Sequence, residues 1–173
     1  GDISEERGIP KMKEFIASQA NLRSLTCAFT EKPSKRKSLN FSTSICEGIQ
    51  VQKSSALKSL VLENLVVPKP VLTKLQNLVY GLEEIELPCP MSGKLAAGIR
   101  QWLSDPKCSL KILRLDLYDR PKDLLVDLFK ALKQNKSIES LSMKSLDVDK
   151  NGLVRNLQDC LSSMKQLKKV TTM

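Results

Sequence analysis

Histidine is absent from the 173 residues of this chain. That removes the commonest general base, every Ser-His or Cys-His nucleophile pair and the commonest metal ligand. Only carboxylate or lysine chemistry is left, so the expectation is a non-catalytic protein with no cofactor and no metal. Aromatic residues are scarce as well, at 4%, so any buried core must be aliphatic. The cysteines, Cys27, Cys46, Cys89, Cys108 and Cys160, are odd in number and form no C-x-x-C pair. That pattern fits free thiols in a reducing compartment rather than a disulfide framework or a zinc site. No apolar run reaches the roughly 18 residues of a membrane-spanning helix. The seven glycines form no phosphate-binding loop. The opening GDISEERGIP has none of the character of a signal peptide; with no initiating Met, it reads as the cut edge of a longer protein.

What is present is leucine, lysine and a repeat. Lys and Arg number 28 against 19 Asp and Glu, a formal charge of +9. Such a surplus permits nucleic acid, anionic lipid or acidic protein partners, and equally serves solubility. A short leucine-rich segment recurs six times. Its copies begin Leu22-Arg-Ser-Leu25-Thr-Cys27, Leu57-Lys-Ser-Leu60-Val-Leu62 and Leu82-Glu-Glu-Ile85-Glu-Leu87. They continue with Leu110-Lys-Ile-Leu113-Arg-Leu115, Ile138-Glu-Ser-Leu141-Ser-Met143 and Leu167-Lys-Lys-Val170-Thr-Thr172. The steps between them are 35, 25, 28, 28 and 29 residues.

A stretch of helical periodicity precedes each segment. The clearest spans Pro121 to Asn135, with Leu124, Leu125, Leu128 and Leu132 on one face. Val71 to Val79 repeats the pattern after Pro70, Leu95 to Leu103 after Ser92, and Leu153 to Met164 before the last segment. Ile9 to Ala20 and Thr43 to Lys53 are fainter. Helix, turn and strand therefore alternate. One such unit cannot bury its apolar side alone, but stacked units can.

On these segments and their spacing, residues 22–173 resemble the leucine-rich repeat family, in its long ribonuclease-inhibitor-like class. The resemblance implies an α/β fold: a leucine-rich repeat solenoid, a right-handed αβ superhelix with a parallel sheet on the concave face and helices on the convex face. Residues 1–173 would form one domain of about six repeats, with strands near 22–28, 57–63, 82–88, 110–117, 138–144 and 167–172. The family's Asn or Cys at the ninth segment position is replaced here by Thr30, Leu65, Pro90, Tyr118 and Leu146. The alternative is a doubly wound α/β domain, whose strands would be apolar on both faces; these alternate instead. The last strand reaches Met173, which leaves an unpaired edge and favours further chain beyond it. The resemblance also implies an intracellular interaction module, such as the C-terminal repeats of an innate immune receptor or a ubiquitin-ligase substrate receptor, in cytoplasm or nucleus.

In-register strands would line up the side chains between the leucines on the open face. Glu83, Glu84 and Glu86 would cluster on the third strand, with Lys111, Arg114 and Asp116 beside them about 5 Å away. Lys144, Lys168 and Lys169, with Lys165 nearby, would make a basic end. Two readings follow: charge compensation within the sheet, or a mixed-charge docking patch for a protein. A nucleic-acid or anionic-surface module using the basic charge is the competing function, but acidic residues interrupt the face. The run Lys32, Lys35, Arg36, Lys37 is expected in a loop, since the first step is seven residues longer than the next regular steps. It offers a localisation signal or phosphate contact, or simply a solvated loop. Asp147 and Asp149 resemble a calcium loop too poorly to hold a metal and read as a turn before a helix. Trp102 is expected in the core, or on a ridge between repeats, and Cys27 as inert.

Overall fold

The computed structural model describes residues 5–19, 21–28, 35–51, 56–63, 81–87, 93–118, 120–147 and 152–172. Helices and strands alternate along them. The strands are β1 (Ser24–Ala28), β2 (Ser59–Glu63), β3 (Glu84–Leu87), β4 (Ile112–Asp116), β5 (Ser140–Lys144) and β6 (Lys169–Thr172). The helices are α1 (Glu5–Ser18), α2 (Lys35–Val51), α3 (Gly93–Ser104), α4 (Lys122–Gln134) and α5 (Val154–Ser163). The expected helix after Pro70 lies outside the described residues.

The six strands form one parallel sheet in chain order, β1 to β6, with no crossover. Register follows the leucine pattern. Leu25, Leu60, Ile85, Leu113, Leu141 and Val170 stand side by side, as do Thr26, Val61, Glu86, Arg114, Ser142 and Thr171. Register is fixed by burial, because a slip of one residue would turn the leucines to solvent. Leu60, Leu62, Ile85, Leu113, Leu115, Leu141 and Met143 are buried against the helices, while the side chains between them, the buried Glu86 apart, stay partly exposed. One sheet face is thus packed and the other open, as the alternation predicts.

Each assigned strand begins two residues later than its segment, yet the backbone pairing starts one residue earlier than the strand. The carbonyl of Arg23 accepts the N–H groups of Lys58 and Ser59 at 2.8 and 3.1 Å, and the same double acceptance recurs at Lys58, Glu83, Lys111 and Glu139. The second residue of every segment is thereby pinned to its neighbour, which fixes where its charged side chain emerges.

Helix α4 shows how the layer forms. Pro121 precedes it with φ −59°, suited to a helix start. Asp123 in its first turn and Lys133 in its last turn oppose the helix dipole favourably. Leu125, Leu128, Phe129, Ala131 and Leu132 are buried. The turn that follows is built on Asn135. Its Nδ2 donates to the Leu103 carbonyl at 2.9 Å, and its Oδ1 accepts from the Ser137 and Ile138 amides at 2.9 and 2.8 Å. One buried side chain thus ties the end of α3 to the entry of β5.

Helix α2 corrects an expectation. It begins at Lys35 rather than near Thr43, so Lys35, Arg36 and Lys37 occupy its first turn and are not loop residues; Lys32 lies outside the described residues. Lys and Arg are good helix formers, and Phe41, Ile45 and Ile49 pack one face of the helix inward, so the helix propagates back through the basic run. Cations at a helix start work against its dipole, a cost the packing outweighs. Gly48 allows that packing: a Cβ there would stand 2.8 Å from Ile16 Cβ on α1. Gly152, with φ +58°, takes the left-handed turn ahead of α5.

Candidate functional site

The open face is a set of charged columns set by the register. The second-position column reads Arg23, Lys58, Glu83, Lys111, Glu139, Lys168. From Lys58 onward its sign alternates strand by strand. Glu83 lies between two cations, Lys58 at 3.4 Å and Lys111 at 3.6 Å. Glu139 pairs with Lys168. The Lys168 hydrogen bond and charge, with the Lys111 charge, hold the Glu139 carboxyl below its ordinary pKa.

The next column places Glu84 beside Ile112. Glu84 accepts a hydrogen bond from Ser59 Oγ at 2.8 Å and pairs with Arg114. Partial burial pushes its pKa up, but the bonds from Arg114 and Ser59 and the Arg114 charge prevail, leaving it below the ordinary value. Glu86 does not use Arg114, its direct neighbour in the register. It reaches past β4 to Lys144 on β5, at 2.9 Å. Glu86 is only 9% exposed, so this is the most enclosed charge on the face. The Glu86 hydrogen bond raises the Lys144 pKa, desolvation lowers it, and the charges of Glu86, Glu63 and Asp116 raise it; the net shift is upward.

The structure therefore brings Glu83, Glu84, Glu86, Lys111, Arg114 and Lys144 together, with specific partners for each. Asp116 stands at the strand end and accepts the Tyr118 amide at 3.2 Å. Lys168 belongs to the alternating column rather than to a uniformly basic end, and Lys144 sits among carboxylates. Lys165 and Lys169 are exposed. Arg36 is exposed, on α2.

Other groups stand as follows. Trp102 is in the core, with its Nε1 unpaired among the described residues. Cys27, Cys46, Cys108 and Cys160 are buried and in no disulfide, and burial pushes Cys27 and Cys160 up to about 11. A thiol that far above neutrality is a poor nucleophile. Cys89 and Asp149 lie outside the described residues. Among the described residues, no group of three potential ligands is placed to hold a metal, and no helix is long and apolar enough to cross a membrane.

Two features escaped sequence reasoning. Tyr118 figures there only as a departure from the ninth-position rule, yet the residue is 70% exposed in the turn just past β4. Its neighbour Asp116, capping its amide, is the signal that a turn lifts it clear. The helix layer also has its own ion pairs, Arg100 with Asp127 across α3 and α4, and Lys13 with Glu47 across α1 and α2; only the helix pairing makes them neighbours. No protein-family model matches the chain, and no curated protein matches it with significance.

Proposed function

We propose that this chain is a non-catalytic interaction module, a short leucine-rich-repeat solenoid whose open sheet face binds another protein. One observation carries the reading: six strands in chain order present their interleaved side chains as one continuous face, whose charges are held in position by one another. Groups positioned in advance lose little freedom on binding, which is how a patterned surface gains specificity. Half-buried Val61 and Ile112 and the Tyr118 ring add apolar contact, and aromatic side chains are favoured interface anchors.

A protein partner fits the face better than nucleic acid does. Glu83, Glu84, Glu86 and Glu139 run through its middle, where a phosphate backbone would meet carboxylates. Membership of a larger cytoplasmic or nuclear protein, such as an innate immune receptor or a ubiquitin-ligase substrate receptor, belongs to the same proposal and rests on the repeat resemblance alone.

The test exploits the Glu84–Arg114 pair. The double variant Glu84→Arg, Arg114→Glu keeps the ion pair and inverts its direction. Proteins crosslinked to the wild-type chain in cells are identified by mass spectrometry, and the leading one is purified for titration. On the docking reading the swapped chain melts within a few degrees of wild type and loses about tenfold or more in affinity, roughly 1.4 kcal/mol. Unchanged affinity in the swap would leave the face as charge compensation only. A steep loss of binding to a mixed-sequence DNA duplex with rising salt, in the absence of any protein partner, would support the nucleic-acid reading instead.

A further inference from the structure

On the open face and in the helix layer, cations are matched by carboxylates. Lys58 and Lys111 share Glu83, Arg114 holds Glu84, Lys144 holds Glu86 and Lys168 holds Glu139. Behind them Arg100 and Lys130 flank Asp127, and Lys13 holds Glu47. A third surface breaks this rule. Because the strands are parallel, every turn from helix to strand lies along one rim, at the N-terminal ends of the strands. Lys107 stands in the turn from α3 to β4, Lys136 in the turn from α4 to β5 and Lys165 in the turn from α5 to β6, and all three are exposed. None of them pairs with a carboxylate among the described residues. Lys133, in the last turn of α4, is exposed beside them. Asp105 on the same rim has its Oδ1 on the Lys107 amide, at 2.8 Å. Lys107 and Lys136 precede β4 and β5, which have strands on both sides, so this basic excess belongs to the interior of the layer.

The turns that carry these lysines are tied to one another. Asn135 bonds back to the Leu103 carbonyl at 2.9 Å, Gln166 Nε2 donates to the Asn135 carbonyl at 2.9 Å, and Ser109 Oγ donates to the Leu82 carbonyl at 2.9 Å. The lysines are thus held one repeat apart, between the spacing of strands, about 5 Å, and that of packed helices, about 8–10 Å. Alternate residues of an extended chain lie about 7 Å apart, within that range. The negative ends of α3, α4 and α5 point at this rim, which stabilises cations there without counter-charges. We infer that the rim binds an extended acidic segment of a partner protein, laid across the turns with a carboxylate at every second residue, set against Lys107, Lys136 and Lys165 in succession. Nucleic acid fits the rim less well. A duplex is broad enough to overlie Glu83 and Glu139 on the adjoining face. A single strand gains from stacking on aromatic rings, but Trp102 is buried and Tyr118 stands beyond the opposite ends of the strands. The rim and the open face are different surfaces, so either can fail without the other.

The test titrates the chain, in dilute salt, with two capped peptides carrying a net-neutral dye, Gly-Glu-Ser-Glu-Ser-Glu-Gly and Gly-Gln-Ser-Gln-Ser-Gln-Gly, and reads anisotropy. The Glu peptide is expected to bind about tenfold more tightly than the Gln peptide or better. Lys107→Gln, Lys136→Gln and Lys165→Gln together cut its affinity about tenfold. Removing the same charge elsewhere, with Lys11→Gln on α1 and Lys122→Gln and Arg155→Gln at the starts of α4 and α5, changes it less than about twofold. Should the rim triple melt early, Lys136→Gln alone carries the test, with an expected loss of about threefold. No binding, equal affinity for the two peptides, or an equal loss when the charges are removed elsewhere each overturns the inference. So does tighter binding of a single-stranded oligonucleotide of the same charge that is lost in the rim variant, which would give the rim to a phosphate backbone.

Discussion

Leu141 on β5 and Val170 on β6 hold the same place in consecutive repeats, and their surroundings are opposite. Leu141 has β4 on one side, β6 on the other and the helix layer behind it. Val170 has a neighbour on one side. The helices repeat the contrast: α4 buries Leu125, Leu128, Phe129, Ala131 and Leu132, whereas α5 buries only Cys160 and leaves Val154 exposed. A strand of this sheet closes its core column only where it has a neighbour on both sides.

The largest expected effect tests that contrast directly. Leu141→Ala leaves a cavity in a closed layer and is expected to cost about 2–5 kcal/mol. Val170→Ala removes methyl groups already partly in water and is expected to cost less than about 1 kcal/mol. Urea unfolding of the two variants measures both. Similar losses would mean that β6 is as cooperative with the core as β5, and the contrast between interior and edge would fail.

Next to β1, the other outer strand of the sheet, the helix layer holds a close approach. α1 lies against α2 through the gap at Gly48, where an added Cβ meets Ile16 Cβ at 2.8 Å and Ile16 Cγ2 and the Lys13 carbonyl at 3.0 Å. Backbone cannot yield as a flexible side chain can. Gly48→Ala therefore forces the helices apart, and overpacking of this kind costs about 1–3 kcal/mol, more than the helix propensity it gains. The observable is a lower thermal midpoint, with faster hydrogen exchange in α1 than in α4. A stabilised variant would show that α1 is loosely held.

What sequence reveals about this molecule divides along the same line. The core columns were legible because the leucine spacing records burial, and burial sets register; all six strands fall inside the expected spans. Helix α2 was not, because a basic run after Pro33 and Ser34 reads locally as a loop, while the core against which Phe41, Ile45 and Ile49 pack is assembled from residues remote in sequence. The face was legible as columns and opaque as pairs. Neighbouring strands bring Glu83 to Lys111 and Glu84 to Arg114, as adjacency suggests, but Glu86 reaches over β4 to Lys144. Side-chain length and the competing claim of Glu84 on Arg114 decide that choice, and neither is written in the repeat. The turn residue Asn135 was invisible for a related reason. The leucine-rich repeat resemblance puts its polar residue after the strand, whereas this side chain works before it.

The smallest effects separate two ion pairs that share a chemistry and differ in place. Glu84 lies inside the sheet between Ser59 and Arg114, and Glu139 faces the edge residue Lys168. Both carboxyls are held below their ordinary pKa of 4.5 when folded. Folding therefore favours their ionised forms. Each contribution is present above pH 4.5 and is lost as pH falls through the depressed folded value. Glu84→Gln should flatten part of that acid limb and cost roughly 1 kcal/mol or less at neutral pH, since the pair is partly screened by solvent. Glu139→Gln should flatten it as well, but only in dilute salt. At high ionic strength the edge pair is screened by ions with free access to Lys168, while Ser59 and the flanking strands shield Glu84. Stability measured against pH at two salt concentrations reads both effects. If salt erased the two contributions equally, Glu84 would be as solvated as the edge, and the distinction between an enclosed face and an open rim would hold for the leucines alone.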